Sequence, residues 1–363
     1  MRVLHVEAGL HVYGGAQQVL YLLGGLQQRN VQNVLVCASG SAIAGPAGDC
    51  AEVVSVPMRG DADVALVARL RRIIREHRPD IVHLHSRRGA DVLGGLAARL
   101  AGVPSVLSRR VDNPEPRLWV ALKYPLYAHV ITISEGIRAV LLQEGLPAAK
   151  VTCVHSAVDQ AFWQHGCDRG GFLRQFDLAG DVPVAGMVAQ FIPRKGHRHL
   201  LAALPEVLRH YGNLQVLLFG KGPLLAEVRA AIEAQGLAMQ VRLAGYRHDL
   251  EHWLGCLDLV VHPAEKEGLG VSLLQAAAAG VPIIASRAGG MPEIVEHRGN
   301  GLLVDPGDSR ALSHAMIELL DDADLRTAMG RRGRELVAER FSLPAMVEGN
   351  LAIYRRVLGF PGE

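Results

Sequence analysis

The feature that most constrains this fold is the alternation of short apolar runs with longer helical patterns, which occurs twice along the chain. In the first half, the apolar runs predict strands at Val3–Val6, Asn33–Cys37, Ile81–Leu84, Ser105–Ser108, Val130–Ile133 and Val151–Val154. The stretches between them predict helices at Ala16–Gln28, Ala62–His77, Gly89–Ala101, Lys123–His129 and Glu135–Gln143. Continuous apolar strands joined by helices are typical of a parallel sheet covered on both faces.

The alternation starts again after the glycine-containing segment Gln164–Gly171, with strands predicted at Val184–Val188, Leu214–Phe219, Val241–Ala244, Leu257–Val261, Pro282–Ala285 and Gly301–Val304. A chain of 363 residues suits two domains of the usual size. We therefore predict an α/β protein of two doubly wound domains, residues 1–165 and 172–342, with ligands bound at the strands' carboxyl ends in the cleft between them. The last predicted helix, Leu343–Leu358, could pack on either domain.

The charge balance argues against a general nucleic-acid binder, because the formal net charge is only +2. Residues 1–160 carry 17 Lys and Arg against 13 Asp and Glu, a difference of +4, and residues 161–363 carry 21 against 23, a difference of −2. The first half could therefore meet an anionic partner, although scattered surface charge would give the same counts.

Cysteine usage and hydropathy predict a cytoplasmic protein with reduced thiols. The five cysteines are widely spaced and form no Cys-x-x-Cys pair, which favours neither a disulfide framework nor a zinc site: Cys37, Cys50, Cys153, Cys167 and Cys256. The N-terminal sequence has no apolar stretch like that of a signal peptide. No segment reaches the ~20 apolar residues of a membrane-spanning helix.

A glycine turn stands before a predicted helix in the segment EKEGLGVSLLQAAAAG, Glu265–Gly280. Glycines allow close approach of a ligand to the backbone, and the unpaired amides at a helix start favour an anion. Glu267 lies beside this anion site, where its carboxylate would accept hydrogen bonds from hydroxyl groups. This combination predicts a ligand with both phosphate and polyol character, the alternative being an ordinary turn with a solvated acid.

A basic turn follows the first strand of the second half, where Arg194 and Lys195 precede Gly196. Two cations at a strand end suit a diphosphate, although a solvated basic turn is common.

In the first half, Gly14 and Gly15 follow the first strand. They do not form the G-x-G-x-x-G pattern, so a dinucleotide fingerprint is not supported and a simple tight turn is the better interpretation.

Two double-arginine turns follow neighbouring strands of the first half. Arg87 and Arg88 come shortly after His85, and Arg109 and Arg110 end the next strand. The carboxyl ends of such strands lie at one edge of a parallel sheet, so the arginines would form one patch and predict an anionic acceptor. Two unrelated exposed turns are the alternative, and a single histidine at a strand end is more often structural than catalytic.

Together these motifs resemble the family-four retaining glycosyltransferases of the GT-B fold, and the likeness spans nearly the whole chain. It is strongest in EGLGVSLLQAAAAGVPIIASRAGGMPEIV and GNGLLVDPGD, with further matches in TISEGIRAVL, VHSAVD and FSLPAMVEGNLAIYRRVL. The resemblance implies two Rossmann-like domains, of which the first binds the acceptor and the second binds the nucleotide sugar. It also implies that the terminal helix, residues 343–363, crosses back onto the first domain.

The resemblance assigns roles to individual residues. Gly15 corresponds to a glycine whose amide touches the donor phosphate, and His85 to a histidine near the transferred sugar. Lys195 corresponds to the diphosphate-binding lysine, and Glu267 to the first acid of an E-x7-E pattern close to the donor sugar. The turn that meets the phosphates or the sugar is formed by Gly268, Leu269, Gly270 and Val271. We therefore assign catalytic roles to His85, Lys195 and Glu267.

Two positions of the donor site depart from the family pattern. The second acid, which usually receives the ribose hydroxyls, is Gln275, and the arginine five positions before the lysine is Gln190. One change removes a negative charge and the other removes a positive charge. Gln275 can still hydrogen-bond a ribose through its amide. We therefore expect nucleotide binding to survive, with Arg194 supplying the missing cation.

The resemblance implies a metal-independent hexosyltransferase that moves a sugar from a nucleoside diphosphate to an acceptor hydroxyl with retention, through a front-face route. No Asp-x-Asp triplet stands at a predicted strand end, and no cofactor is implied beyond the donor itself. The acceptor is expected to be an anionic glycan or glycolipid, with the lipopolysaccharide core as the favoured hypothesis. Peripheral association with the cytoplasmic face of the inner membrane is an additional expectation.

Three other functions share the architecture. A nucleotide-sugar epimerase and a phosphorylase are the enzymatic alternatives, although a phosphorylase usually needs a pyridoxal lysine and a longer chain. A non-catalytic nucleotide-sugar-binding partner of another transferase is the alternative from a different class. The two glutamines, Gln190 and Gln275, keep that last alternative open.

Overall fold

The computed structural model describes residues 1–85, 89–180 and 182–360. These residues form two compact units: the first contains Met1–Ala157 together with the chain from Leu343 onward, and the second contains Val158–Ser342. The predicted acceptor-site residues Arg87 and Arg88 lie outside the described residues. Each unit is built on its own parallel sheet.

The first unit has seven parallel strands: β1 (Arg2–Glu7), β2 (Gln32–Ala38), β3 (Glu52–Val56), β4 (Ile81–Leu84), β5 (Ser105–Arg109), β6 (His129–Thr132) and β7 (Val151–Cys153). Its first six helices are α1 (Gly14–Gln27), α2 (Ala44–Ala47), α3 (Ala65–His77), α4 (Ala90–Ala101), α5 (Arg117–Lys123) and α6 (Glu135–Gln143). The strand order is β3-β2-β1-β4-β5-β6-β7. The order reverses between β1 and β4, which is where doubly wound sheets bind ligands.

The second unit has six parallel strands: β8 (Val184–Val188), β9 (Gln215–Phe219), β10 (Val241–Gly245), β11 (Leu259–His262), β12 (Ile283–Ser286) and β13 (Gly301–Val304). Its helices are α7 (Gln160–Trp163), α8 (Arg169–Gln175), α9 (His197–His210), α10 (Leu225–Ala234), α11 (Val271–Ala279), α12 (Met291–Ile294), α13 (Ser309–Asp321) and α14 (Ala323–Arg340). The order β10-β9-β8-β11-β12-β13 reverses between β8 and β11.

The closing helix, α15 (Leu343–Val357), packs on the first unit. Its Val347 and Leu351 share a buried cluster with Leu22 and Leu26 of α1. Gly25 of α1 permits this close packing, since a Cβ atom at that position would lie 2.3 Å from a methyl group of Val347. Burial of such aliphatic side chains is the main force that holds the helix in place.

The boundary between the units differs from the predicted one, because the segment 158–171 belongs to the second unit. Cys167 forms a disulfide with Cys256, and the Arg169 guanidinium donates to the backbone carbonyls of Cys256 (2.7 Å) and Val182 (2.5 Å). The prediction that all five cysteines are reduced is therefore wrong for this pair. The two cysteines are 89 residues apart, so no local spacing indicated that they meet.

Two element predictions in the first half are also wrong. The edge strand β3 was not predicted, because its partly exposed residues do not form a continuous apolar run. The predicted helix Lys123–His129 does not form: α5 ends at Lys123, a 3₁₀ turn covers Tyr124–Leu126, and His129 begins β6. Pro125 lies in that turn and lacks the amide that a continuing helix would need.

Candidate active site

Two loops of the second unit meet where its sheet order reverses. β8 leads into the 3₁₀ turn Pro193–Lys195, and β11 leads into residues 263–270. Gly196 has a φ of +77°, and a Cβ atom there would lie 1.9 Å from the carbonyl oxygen of Pro263. The amide of Glu265 also donates to the carbonyl of Arg194 (2.9 Å). Glycine is therefore required at position 196, and the close approach brings Lys195 next to the loop after β11.

The centre of this site is a buried ion pair. The Lys195 ammonium contacts Oε2 of Glu267, and Nε2 of His262 lies 3.1 Å from the same oxygen. Both charged side chains are 12% exposed, and that of His262 is buried. Burial acts to raise the pKa of Glu267, but the hydrogen bond from His262 and the charge of Lys195 outweigh it and hold that pKa below its usual range. Glu267 is therefore an ionised hydrogen-bond acceptor rather than a general acid.

Glu267 is also fixed through its backbone. Gly289 has a φ of +55°, and a Cβ atom there would lie 1.9 Å from the carbonyl oxygen of Glu267. The amide of Gly290 donates to that same oxygen (3.1 Å). The Gly-Gly pair in the segment AGGMPE thus allows the turn after β12 to pack against Glu267 and hold the acid in position.

The start of α11 presents backbone donors beside this pair. Gly270 precedes the helix with a φ of +103°, and its carbonyl accepts from the amides of Leu273 (2.9 Å) and Leu274 (3.2 Å). The amides of Val271 and Ser272 have no acceptor among the described residues. Free amides at a helix N-terminus attract an anion. The structure thus places Gly268, Leu269 and Gly270 of the predicted turn between Glu267 and the helix, and Val271 is the first residue of that helix.

The remaining predicted donor residues lie on the same two chain segments. Gln275 is half-buried on α11, one turn after Val271. Gln190 is exposed just beyond the end of β8, and Arg194 is half-buried in the turn that carries Lys195. Their contact with a donor stays a prediction. The sequence-based interpretation missed His262, although a histidine that ends a buried strand five residues before Glu267 was a usable signal.

The first unit contains a cavity of about 520 Å³ at the carboxyl ends of β1, β4 and β5. Four predicted site residues line it together, namely Gly15, His85, Arg109 and Arg110. A Cβ atom at Gly15 would lie 3.7 Å from the Arg110 side chain, which is an ordinary contact, so packing within this unit does not require glycine there.

Arg109 is held in a buried charge network. Its guanidinium lies 3.0 Å from Oε1 of Glu115, which Lys123 also contacts at 3.1 Å. Lys123 reaches Asp91 on α4 at 2.7 Å, and the Tyr124 hydroxyl donates to Glu115 at 2.9 Å. The network ties β5 and α5 to α4. Arg109 thus supports the cavity wall, and acceptor binding by this residue stays a prediction. No local spacing pointed to Glu115, Lys123 or Asp91.

Arg110 has a different environment from Arg109. Burial lowers the pKa of its guanidinium, and the nearby carboxylate of Glu7 opposes that effect. Glu7 ends β1, is 5% exposed, and accepts a hydrogen bond from the amide of Gly9 (2.8 Å). The sequence-based interpretation missed Glu7, which an acid at the end of an apolar strand could have indicated. The cavity therefore combines a cation and an acid beside His85.

His85, which lines this cavity, belongs to a cluster of three buried histidines. Nδ1 of His5 and Nε2 of His85 are 2.9 Å apart, while His83 binds the Tyr354 hydroxyl (2.5 Å) and the Ser108 hydroxyl (2.8 Å). Burial lowers the pKa of His5 to about 3 and holds the pKa values of His83 and His85 well below normal, so all three rings are neutral. One nitrogen from each ring lies within 4.8 Å of the others, so the set could hold a metal ion. Metal independence stays a prediction.

Models of two known protein families match most of the first and second units, respectively. The model of the family described as "Glycosyltransferase Family 4" matches residues 12–162, and that of "Glycosyl transferases group 1" matches residues 171–336. The chain is 30% identical over 293 residues to a GDP-mannose-dependent alpha-(1-6)-phosphatidylinositol monomannoside mannosyltransferase of Mycobacterium tuberculosis, covering 75% of each protein. It is also 30% identical over 298 residues to the 2-deoxystreptamine glucosyltransferase of Streptomyces kanamyceticus, covering 77% of each.

The fold is likewise shared with a solved structure. Anabaena HepE in complex with UDP superposes with a TM-score of 0.86 at 20% identity, covering 98% of this chain and all of the other. This likeness, together with the two parallel sheets, confirms the predicted α/β fold of the GT-B class. Among the described helices, none combines the length and the apolar character needed to cross a bilayer.

Proposed function

Because the chain belongs to the group 1, family-four glycosyltransferases, we propose that it moves a sugar from a nucleoside diphosphate to an acceptor hydroxyl with retention of the anomeric configuration. The observation that carries this proposal is the buried pair of Lys195 and Glu267 beside the free amides of α11. A cation and helix amides match a diphosphate, and an ionised carboxylate matches sugar hydroxyls.

The cation and the free amides of the second unit suit the stabilisation of the leaving diphosphate. As the bond between the anomeric carbon and the diphosphate breaks, Lys195 and the amides of Val271 and Ser272 would stabilise the negative charge that develops on the diphosphate. The acceptor oxygen forms the new bond to the anomeric carbon. Its proton passes to the departing diphosphate oxygen, so the products are the glycoside and the protonated nucleoside diphosphate.

The state of Glu267 favours this front-face route over a double displacement. A double displacement needs a nucleophilic carboxylate about 5–5.5 Å from a second carboxyl group. Glu267 is bound by both Lys195 and His262, and its depressed pKa keeps it ionised. It is therefore suited to hold the hydroxyls of the donor sugar. His85, on the cavity of the first unit, is the group that we assign to the neighbourhood of the transferred sugar.

The acceptor that we propose is an anionic glycan or glycolipid, with the lipopolysaccharide core as the favoured case. Arg110 supports this class because it lines the cavity of the first unit beside His85. Similar proteins are named for a phosphatidylinositol mannoside and for 2-deoxystreptamine, which differ in charge. A panel of phosphorylated core oligosaccharides, phosphatidylinositol mannosides and aminocyclitols therefore tests the charge of the acceptor directly.

We also propose that the protein associates peripherally with an anionic lipid surface through α5. Three of its apolar side chains are exposed, namely Leu118 (75%), Trp119 (44%) and Leu122 (63%). Arg117 at the start of the helix adds a positive charge. Exposed leucine and tryptophan next to basic residues are typical of helices that lie at a membrane interface. The protein should sediment with phosphatidylglycerol vesicles. A variant with serine in place of Leu118 and Leu122 should stay in the supernatant.

Product formation with defined donors tests the function. We expect one nucleotide sugar from a panel of UDP and GDP sugars to raise the melting temperature and to give a glycoside with the donor's anomeric configuration, read from its NMR coupling constant. A melting shift without any product would favour a non-catalytic binding partner. Conversion of the donor sugar without an acceptor would favour an epimerase. An inverted product would overturn the retaining route.

A further inference from the structure

A second cavity of the first unit borders the one that contains His85. It has a volume of about 550 Å³, and Asp91 and Lys123 line both cavities. The side chains of these two residues are buried and pair at 2.7 Å. Lys123 also contacts Glu115, which lines the second cavity, at 3.1 Å. The two cavities therefore meet at the buried charge network that holds Arg109.

Backbone packing fixes one wall of the second cavity. Gly89 precedes α4 with a φ of +81°, and a Cβ atom there would lie 2.7 Å from the carbonyl oxygen of Gly60 and 2.8 Å from Cα of Asp61. Glycine is therefore required at position 89, because it lets the segment before α3 pack on the start of α4. Both Gly89 and Asp61 line the cavity, and Asp61 is exposed. Its carboxylate can accept a hydrogen bond from a hydroxyl group in the cavity.

Helix α5 contributes an aromatic side chain to the second cavity. Trp119 and Lys123 are four residues apart on this helix, so they share one of its faces, and both line the cavity. Leu118 and Leu122 are also four residues apart, and both are more exposed than Trp119. Trp119 is 44% exposed, so a ligand in the cavity can reach its indole ring. α5 thus presents Trp119 to the cavity and the two leucines to the solvent.

The lining of the second cavity suits a sugar ring better than an acyl chain. A sugar ring has an apolar face of C–H groups, which can stack on an indole, and hydroxyl groups around its edge, which can bond to carboxylates. Trp119 and Asp61 supply these two kinds of contact. An acyl chain would instead be buried against Asp91, Glu115 and Lys123 and would satisfy none of their polar atoms. The cavity therefore favours a carbohydrate.

We propose that the second cavity binds a second sugar of the acceptor, next to the sugar that receives the transferred one. This inference rests on the proposed function, and it specifies the acceptor as at least a disaccharide. The accepting sugar occupies the cavity lined by His85 and Arg110. Its neighbour stacks on Trp119 and donates a hydroxyl hydrogen bond to Asp61, and both of these residues line the second cavity. Trp119 and Asp61 therefore determine the specificity for acceptor length.

The test uses paired soluble acceptors: the phosphorylated core sugars, the inositol mannoside headgroups and the aminocyclitols, each in a form with one ring and a form with two. We expect the wild type to use the two-ring form of its acceptor with a KM about tenfold below that of the one-ring form. Trp119→Ala should raise the two-ring KM to the one-ring value, and Trp119→Phe, which keeps a stacking ring, should retain most of the difference. Asp61→Asn should raise the two-ring KM about threefold.

Leu100→Ala is the matched control, because Leu100 is exposed to a similar extent (50%) near the end of α4 and is not among the described residues that line either cavity. It should keep the wild-type ratio of the two KM values. Equal KM values for both forms of every pair in the wild type would overturn the proposal, as would an equal rise for both forms in Trp119→Ala. A tighter-binding acyl chain on a one-ring form, with its gain lost in Trp119→Ala, would also overturn it, since lipid would then occupy the cavity.

Binding without a donor separates this inference from the proposed function. The two-ring form should change the tryptophan fluorescence of the wild type, a signal that Trp119→Phe should lose, and calorimetry should show its higher affinity. A two-ring form that binds in this way but gives no product would contradict the proposed transfer and would support the second cavity as a carbohydrate site. Product formation with equal use of both forms would support the transfer and overturn the second sugar site.

Discussion

Lys195 and Glu267 form a buried ion pair although 72 residues separate them in the chain. The pair joins the loop after β8 to the loop after β11, at the point where the sheet order of the second unit reverses. Because the lysine is also the expected diphosphate ligand, a bound nucleotide and Glu267 would share one cation. Donor binding and the position of the carboxylate should therefore be coupled.

Glu267→Gln tests this coupling, since it keeps the shape of the side chain and removes its charge. We expect a nucleoside diphosphate to bind up to about tenfold more tightly, ~1.4 kcal/mol, because Lys195 is no longer neutralised. We expect sugar transfer to fall about 10²-fold, because the donor hydroxyls lose an ionised acceptor. Calorimetry and product formation measure the two effects. Glu265→Gln, in the same loop, is the control, because the Glu265 carboxylate pairs with Arg198 and His199 on α9. It should leave both values near the wild type. Weaker nucleotide binding in Glu267→Gln would refute the coupling.

Arg109 and Arg110 are neighbours with different surroundings, so their substitutions should separate stability from acceptor use. Arg109→Gln leaves the buried Glu115 short of one cation and should reduce the free energy of unfolding by about 3 kcal/mol. Arg110→Gln should reduce acceptor use about tenfold while hydrolysis of the donor stays unchanged, since Arg110 lies on the cavity and not in that network. Urea unfolding and paired assays of transfer and hydrolysis measure these effects. Equal losses of transfer and hydrolysis in Arg110→Gln would argue against an acceptor role.

The strands were predictable where burial was complete, and pairings between distant residues were not. β8 is a continuous apolar run, and β1 and β4 are apolar runs that each contain one buried histidine, His5 and His83, so the positions of these strands follow from hydrophobicity. The edge strand β3 is half-exposed and gives no such signal. The predicted helix after Lys123 failed because Pro125 and a strand beginning at His129 override its local pattern.

In the candidate site, too, the sequence pointed to residues in local motifs but not to their partners on distant elements. Glu267 and Lys195 could be proposed as site residues because each stands in a local motif at a predicted strand end. The residues that set their chemistry belong to other elements, as with His262 for Glu267, or Glu115 and Lys123 for Arg109. Only the fold brings these partners together, and the fold also gives Arg109 a supporting position that its double-arginine motif did not reveal.

Gln275→Glu restores the acid that the family pattern has at this position. We expect donor affinity to rise less than tenfold, under ~1.4 kcal/mol, because the glutamine amide already hydrogen-bonds hydroxyls. Calorimetric titration with the preferred donor gives the ratio. Gln235→Glu, exposed at the end of α10, is the control for an added negative charge. A larger gain confined to Gln275→Glu would mean that the native donor site is weakened.

The Cys167–Cys256 disulfide closes a long loop within the second unit, with a sequence separation of 89. A crosslink of this kind restricts the unfolded chain, so its loss should lower the free energy of unfolding by about 2–4 kcal/mol. We expect the double variant Cys167→Ser, Cys256→Ser to match the reduced wild type in its melting temperature. Cys153→Ser, which changes a cysteine outside this disulfide, is the control. Peptide mapping without reductant should recover the linked pair, and two unlinked thiols in oxidised protein would contradict the assignment.

The pH dependence of stability should report the buried ring of His197. Burial, together with the nearby His262 and Lys195, lowers its pKa to about 4, and neither ring nitrogen has a hydrogen-bond partner among the described residues. Below the ordinary histidine pKa of ~6.5 the unfolded chain takes up a proton that the folded ring does not. Stability is therefore present above about pH 6.5 and is lost as the pH falls toward 4, by about 3 kcal/mol. Urea unfolding at pH 7 and at pH 4.5 should show that His197→Leu loses about 3 kcal/mol less stability than the wild type. The buried histidines of the first unit keep their own contribution in both proteins. His314→Leu, at an exposed position of α13, should keep the wild-type slope. An equal slope in His197→Leu and the wild type would show that this ring does not control acid sensitivity.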